Sequence, residues 1–114
     1  MEAHSHPSRR GVIVITADGS LNTEAAFDFA ARVDQIVEEG GVNAVLDCSH
    51  LGYLSSYGLG MIVMLYSKLA KAGGSLKLAG VKEPIMKVMG MTRVDRIFDV
   101  FPDVDAAVAA LPGA

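Results

Sequence analysis

The chain predicts an α/β domain with a largely parallel sheet and helices packed on it. Two observations carry that expectation. β-Branched apolar runs alternate with segments of helical period through almost the whole length, and the connections between them are too short for anything but crossover helices. A third observation bounds the size: 114 residues, 51% of them hydrophobic, give room for one domain with a real core and not for a second. The expected layout is a flexible N-terminal tail over residues 1–10 and a single domain over residues 11–114.

The first strand is "GVIVITA", Gly11 to Ala17, a β-branched run that ends at the turn signal Asp18-Gly19. From Thr23 the apolar residues recur at Ala26, Phe27, Ala30, Val33, Ile36 and Val37, with Asp28, Arg32, Asp34 and Glu38 between them. That is helical spacing, capped by Asn22 or Thr23 and ended by Gly40-Gly41. Val42 to Ser49 reads as the next strand, and "HLGYL" as a loop leading to Ser55 and Ser56. The helix those serines open runs to about Ala72 and stops at Gly73-Gly74. "SLKLAG" is a third short strand. "KEPIMKVMGM" is a short helix that tolerates Pro84 in its first turn. "DRIFDVFP" supplies a last short strand, and "DVDAAVAAL" an amphipathic terminal helix with Asp103 near its N-cap.

Composition excludes several classes of function. A formal net charge of −3 and an estimated pI of about 5.5 leave no basic footprint for nucleic acid or an anionic membrane. The longest apolar run is broken by Tyr66, Ser67 and Lys68 before it reaches the roughly 18 residues a membrane span needs, so no membrane insertion is expected. "MEAHSHPSRR" places its basic residues last and has no apolar stretch before them, so it does not read as a secretory signal. Cys48 is the only cysteine; it excludes an intrachain disulfide and suits a reducing, cytoplasmic setting as a buried small hydrophobe. No cofactor and no metal site are expected, because His4, His6 and His50 lack metal-ligand spacing.

Ser55 and Ser56 are the residues that ask for an explanation. The hydrolase nucleophile elbow needs glycine two residues before and after the serine, and Tyr53 and Leu54 stand at the preceding positions. His50 lies in the same loop with no separate acid–histidine pair, so no catalytic residue is assigned and no enzyme is expected. Gly58 and Gly60 do not make a nucleotide loop: Val63 stands where a dinucleotide fingerprint has its third glycine, and no Lys-Ser/Thr follows. One serine, either Ser55 or Ser56, caps the helix by accepting a hydrogen bond from an otherwise unpaired N–H. The other is left over.

The helix itself is apolar on more than one side. Leu59, Ile62, Val63, Tyr66, Leu69 and Ala70 follow a core stripe, while Met61, Met64 and Leu65 lie off it. Neighbouring helices cover that second face or another protein does. Gly58 and Gly60 let a partner backbone come close. A phosphate on Ser56 would sit at the positive end of the helix dipole, tolerated by the fold, yet it would place a charge of roughly −2 in any interface over the same spot.

The blocks "ADGSLNTEAA", "AVLDCSHLGYLSSYGLGMIVMLY", "GGSLKLAGV" and "MKVMGMTRVDRIFDVFPDVDAAV", in this order, resemble the STAS-domain family and within it the bacterial anti-sigma-factor antagonists; the resemblance covers about residues 11 to 111. It implies a mixed, mostly parallel sheet of about four or five strands with about four helices mainly on one side. It also implies a regulatory protein-binding module. Such antagonists bind an anti-sigma factor that is also a serine kinase, are released when that kinase phosphorylates them, and are restored by a phosphatase. The family motif Asp-Ser-Ser/Thr-Gly, aligned on Gly58, falls on Ser55-Ser56-Tyr57-Gly58, so the resemblance implies Ser56 as phosphoacceptor. Ser55 stands where relatives have an acid, and Tyr57 where they have a small residue. Asn22, Thr23, Ser55, Tyr57, Gly58, Met61 and Leu65 are expected in or near the partner interface. The alternative reading is a non-phosphorylated STAS subunit of a larger complex, a transporter-associated or stress-sensing assembly.

Overall fold

The computed structural model describes residues 2–5, 11–21, 28, 31–32, 34–35, 38 and 43–111. A five-stranded sheet in the order β1-β2-β3-β4-β5 organises them. β1 (Glu2–Ser5) lies antiparallel to β2 (Val12–Leu21), and β3 (Asn43–Leu54), β4 (Ser75–Ala79) and β5 (Asp99–Phe101) continue the sheet in parallel. α1 (Ser56–Lys71) connects β3 to β4; α2 (Glu83–Met91) and a 3-10 turn at Val94–Arg96 connect β4 to β5; α3 (Val104–Ala109) follows β5. The mixed, mostly parallel sheet is the predicted one. Asp28, Arg32, Asp34 and Glu38, the polar positions of the helix expected between β2 and β3, are helical and exposed, as are Ala31 and Gln35. The apolar positions of that helix lie outside the described residues.

Alternation along the strands divides the core between the two faces of the sheet. Ile15, Ala17, Ala44, Leu46, Cys48, Leu76 and Leu78 pack with Leu59, Ile62, Leu65 and Leu69 of α1 and with Ile85 and Met89 of α2. Val12, Val45 and Ala79 turn the other way and pack with Ala107, Val108 and Leu111. α1 and α2 thus share one face and α3 covers the other. Tyr66 of α1 meets Phe98 edge-on, ring centroids 5.7 Å apart, which ties α1 to the segment ahead of β5. No helix among the described residues is long and apolar enough to cross a membrane.

Three features depart from the sequence reading. Glu2–Ser5, expected within a flexible tail, form β1 against Ile13–Thr16; the pairing is made by backbone groups, so side-chain composition does not announce it. The Asp18-Gly19 turn signal lies inside β2, where register shifts fall between Thr16 and Asp18 and between Gly19 and Ser20, and Gly19 takes a left-handed φ of 68° that suits an irregular strand. The "HLGYL" segment is strand, because β3 keeps pairing with β2 through His50, Leu51, Tyr53 and Leu54. β3 therefore delivers the chain directly to Ser55, with no loop between.

Candidate functional site

Ser55 is extended, at φ −76° and ψ 162°, and its side chain caps α1. Its Oγ accepts the Gly58 N–H at 2.9 Å and its carbonyl accepts the Leu59 N–H at 2.9 Å. Of the two serines, Ser55 is therefore the cap. Ser56 is the first helical residue and is exposed. A Schellman arrangement closes the far end: Gly73, at φ 85°, donates to the Ala70 carbonyl at 3.1 Å and Gly74 to the Leu69 carbonyl at 2.8 Å.

Around Ser56 the first turn carries no acidic side chain, and no charged residue occurs from Ser56 through Ser67. The basic residues of α1, Lys68 and Lys71, stand in its last turn, where they complement the helix dipole, and Lys68 pairs with Asp34. The partial positive charge at the start of α1 is thus opposed by no acidic side chain of that turn.

Two tyrosines flank the serines. Tyr57 is 41% exposed and Tyr53, at the end of β3, 53% exposed. Met61 and Met64 are half-buried and Gly60 is exposed, so one stripe of α1 running Tyr57, Gly60, Met61, Met64 reaches the surface. Ser55, Ser56, Tyr57 and Gly58 lie together in the first turn, with Met61 one turn further on. Gly58 is buried. Leu65, expected near the interface, is fully buried; it belongs to the inward stripe Leu59, Ile62, Leu65, Leu69 and offers no surface to a partner. Asn22 and Thr23 lie outside the described residues; Leu21, immediately before them, pairs with Leu54, the neighbour of Ser55. Tyr53 is the surface residue the sequence reading passed over. Read as loop it carried no facing, whereas strand alternation would have set it opposite Leu54.

Cys48 is not a reactive nucleophile. Burial, and after it the charge of Asp47, pushes the Cys48 thiol up to about 12, so it stays protonated and inert at neutral pH. Among the described residues no group of three His, Cys, Asp or Glu side chains is placed to hold a metal ion.

Fold and surface together define a small α/β domain that presents a capped helix start, flanked by two exposed tyrosines, at the C-terminal end of its central strand β3. The chain belongs to the STAS-domain family, whose model matches residues 5–107. BtrV of Bordetella bronchiseptica, named as a candidate anti-sigma factor antagonist, is 29% identical over 104 residues, which span 91% of this chain and 90% of BtrV. The crystal structure of a candidate anti-sigma factor antagonist from Thermotoga maritima superposes with a TM-score of 0.86 at 24% identity, covering 95% of this chain and 91% of that one. The Bacillus cell fate determinant SpoIIAA in its phosphorylated form gives a TM-score of 0.74 at 16% identity, covering 95% and 97%.

Proposed function

We propose that this protein is an anti-sigma-factor antagonist: a regulatory binding module, not an enzyme, that sequesters an anti-sigma factor with serine-kinase activity through the start of α1 and is released when that kinase phosphorylates Ser56. A phosphatase resets it. The observation that carries the reading is the division of labour between the serines. With the cap supplied by Ser55 Oγ on the Gly58 N–H, the exposed hydroxyl of Ser56 is not consumed in starting the helix.

Electrostatics supports the switch. A dianionic group on Ser56 would meet the positive end of the α1 dipole with no acidic neighbour in the turn to oppose it, so the domain tolerates it. A partner lying over an uncharged face would meet a charge of roughly −2. Ser55 performs the hydrogen-bonding part of the acidic residue that relatives carry at that position, without its charge. The names of the similar proteins support the antagonist role, and the SpoIIAA structure supports a phosphorylated form of this fold.

Intact-mass spectrometry of the protein purified from its own cells, with fragmentation to place any added phosphate, tests the reading. The expected result is a phosphate on Ser56 in part of the population, varying with growth and stress. An unmodified chain under all conditions would leave a constitutive docking subunit of a larger assembly as the better account.

A further inference from the structure

Among the described residues, nothing requires Gly60 to be glycine. It sits inside α1 with an ordinary helical backbone, unlike Gly11, Gly19, Gly73 and Gly80, whose φ values are positive. It is exposed, and a methyl group built on it meets none of the described residues within 4 Å. Glycine in a helix interior is disfavoured against alanine because it has more backbone freedom to lose and nothing to bury. Within the monomer, then, alanine fits at least as well and holds the helix better. Gly58 and Gly60 look alike in the sequence, and the structure separates them: Gly58 is buried beneath the cap, whereas Gly60 opens outward.

What the missing side chain uncovers can be read from helix geometry. The Cα–Cβ bond tilts toward the helix N-terminus, so a side chain at position 60 would lie over the turn that carries Ser56 and Tyr57. Ser56 and Gly60 are also i, i+4 neighbours on one face. Glycine therefore leaves bare backbone beside the candidate phosphoacceptor, framed by the 41% exposed ring of Tyr57 and by half-buried Met61 and Met64. The segment from Ser56 through Ser67 contains no charged residue, so this stretch of α1 offers a partner no ion pair.

We propose that Gly60 is a specificity-determining contact: the anti-sigma partner lays an uncharged stretch of its own main chain against the α1 backbone at Gly60, one turn from Ser56. The inference rests on the reading that the partner docks at the start of α1, and it adds where the closest approach falls. A side chain at Gly60 blocks the contact sterically, and a phosphate on Ser56 blocks it electrostatically from the adjoining turn.

The test uses the purified anti-sigma factor kinases of the source organism, each titrated by calorimetry with wild-type protein, Gly60→Ala, Gly60→Met and Ser56→Asp, alongside thermal melts of all four. The expected pattern is that Gly60→Ala melts above wild type yet binds about tenfold weaker, and Gly60→Met weaker again, as overpacking of a close contact requires. Wild-type affinity in both Gly60 variants, with Ser56→Asp weakened, overturns the inference and leaves the proposed function standing. Wild-type affinity in all three variants, or no kinase bound by the wild type, removes the reading beneath it and the inference with it. A lowered melting point in Gly60→Ala also overturns it, since the glycine would then serve the fold.

Discussion

Ser55 Oγ accepts the backbone N–H of Gly58 at 2.9 Å, one residue before an exposed Ser56. Two adjacent hydroxyls of identical chemistry thus have different duties, and substitution separates them. Ser55→Ala leaves the Gly58 N–H without its partner and should cost about 1 kcal/mol of stability. Ser56→Ala should fall within about 0.5 kcal/mol of wild type. Urea denaturation of both variants checks the pair; equal losses would mean that the cap is shared.

Glycines in the same domain should respond to alanine with opposite signs. Gly60→Ala should stabilise by about 0.5–1 kcal/mol. Gly80 has φ +65° and an added methyl would lie 3.0 Å from the Ser49 Cβ, so Gly80→Ala combines left-handed strain with a clash and should destabilise by about 2 kcal/mol. Thermal melts of the two variants measured together give the comparison.

Leu65 and Tyr57 should divide stability from binding. Leu65 is fully buried, and Leu65→Ala should cost about 2–5 kcal/mol by opening a cavity between α1 and the sheet. Tyr57→Ala and Tyr53→Ala remove rings that are 41% and 53% exposed; they should unfold near the wild-type denaturant midpoint while weakening capture of the anti-sigma partner. A Tyr57→Ala protein that lost stability on the Leu65→Ala scale would place that ring in the core.

Cys48 gives a pH signature. Burial raises its thiol from 9.0 to about 12, so the unfolded chain loses its proton first as pH rises. The thiol's contribution to stability is present below about pH 9 and is lost as pH climbs toward 12. Cys48→Ala should flatten that decline. An alkylating reagent at pH 8 should label the wild type only as fast as it opens, and labelling at the rate of a free thiol peptide would contradict the burial.

Local signals made much of this fold legible. The Ser-rich start and Gly73-Gly74 stop of α1, Pro84 in the first turn of α2 and Asp103 before α3 are caps and breakers whose chemistry acts within a few residues. Asp103 does accept the Ala106 N–H, at 2.8 Å. Non-local pairing was not legible. The last five residues of β3 exist because β2, distant in sequence, lies beside them, and nothing in "HLGYL" reports that neighbour; β1 pairs with β2 from close by, but "EAHS" has no β-branched residue to announce a strand. The facing of α1 was blurred for another reason: Met61-Ile62-Val63-Met64-Leu65 is apolar without interruption, so period alone did not tell Leu65 inward from Met64 outward. At the site the motif alignment placed Ser56, but only the cap geometry showed which serine the helix consumes.

The central claim is that one phosphate at the start of α1 governs association. Its most direct test is the affinity of the source organism's anti-sigma factor kinase for this protein, measured with the unmodified chain and with the chain phosphorylated on Ser56, in one buffer at one ionic strength. Tight binding of the unmodified protein, lowered at least about a hundredfold by the phosphate while the melting point holds, is the predicted result. Equal affinities for the two forms would contradict it.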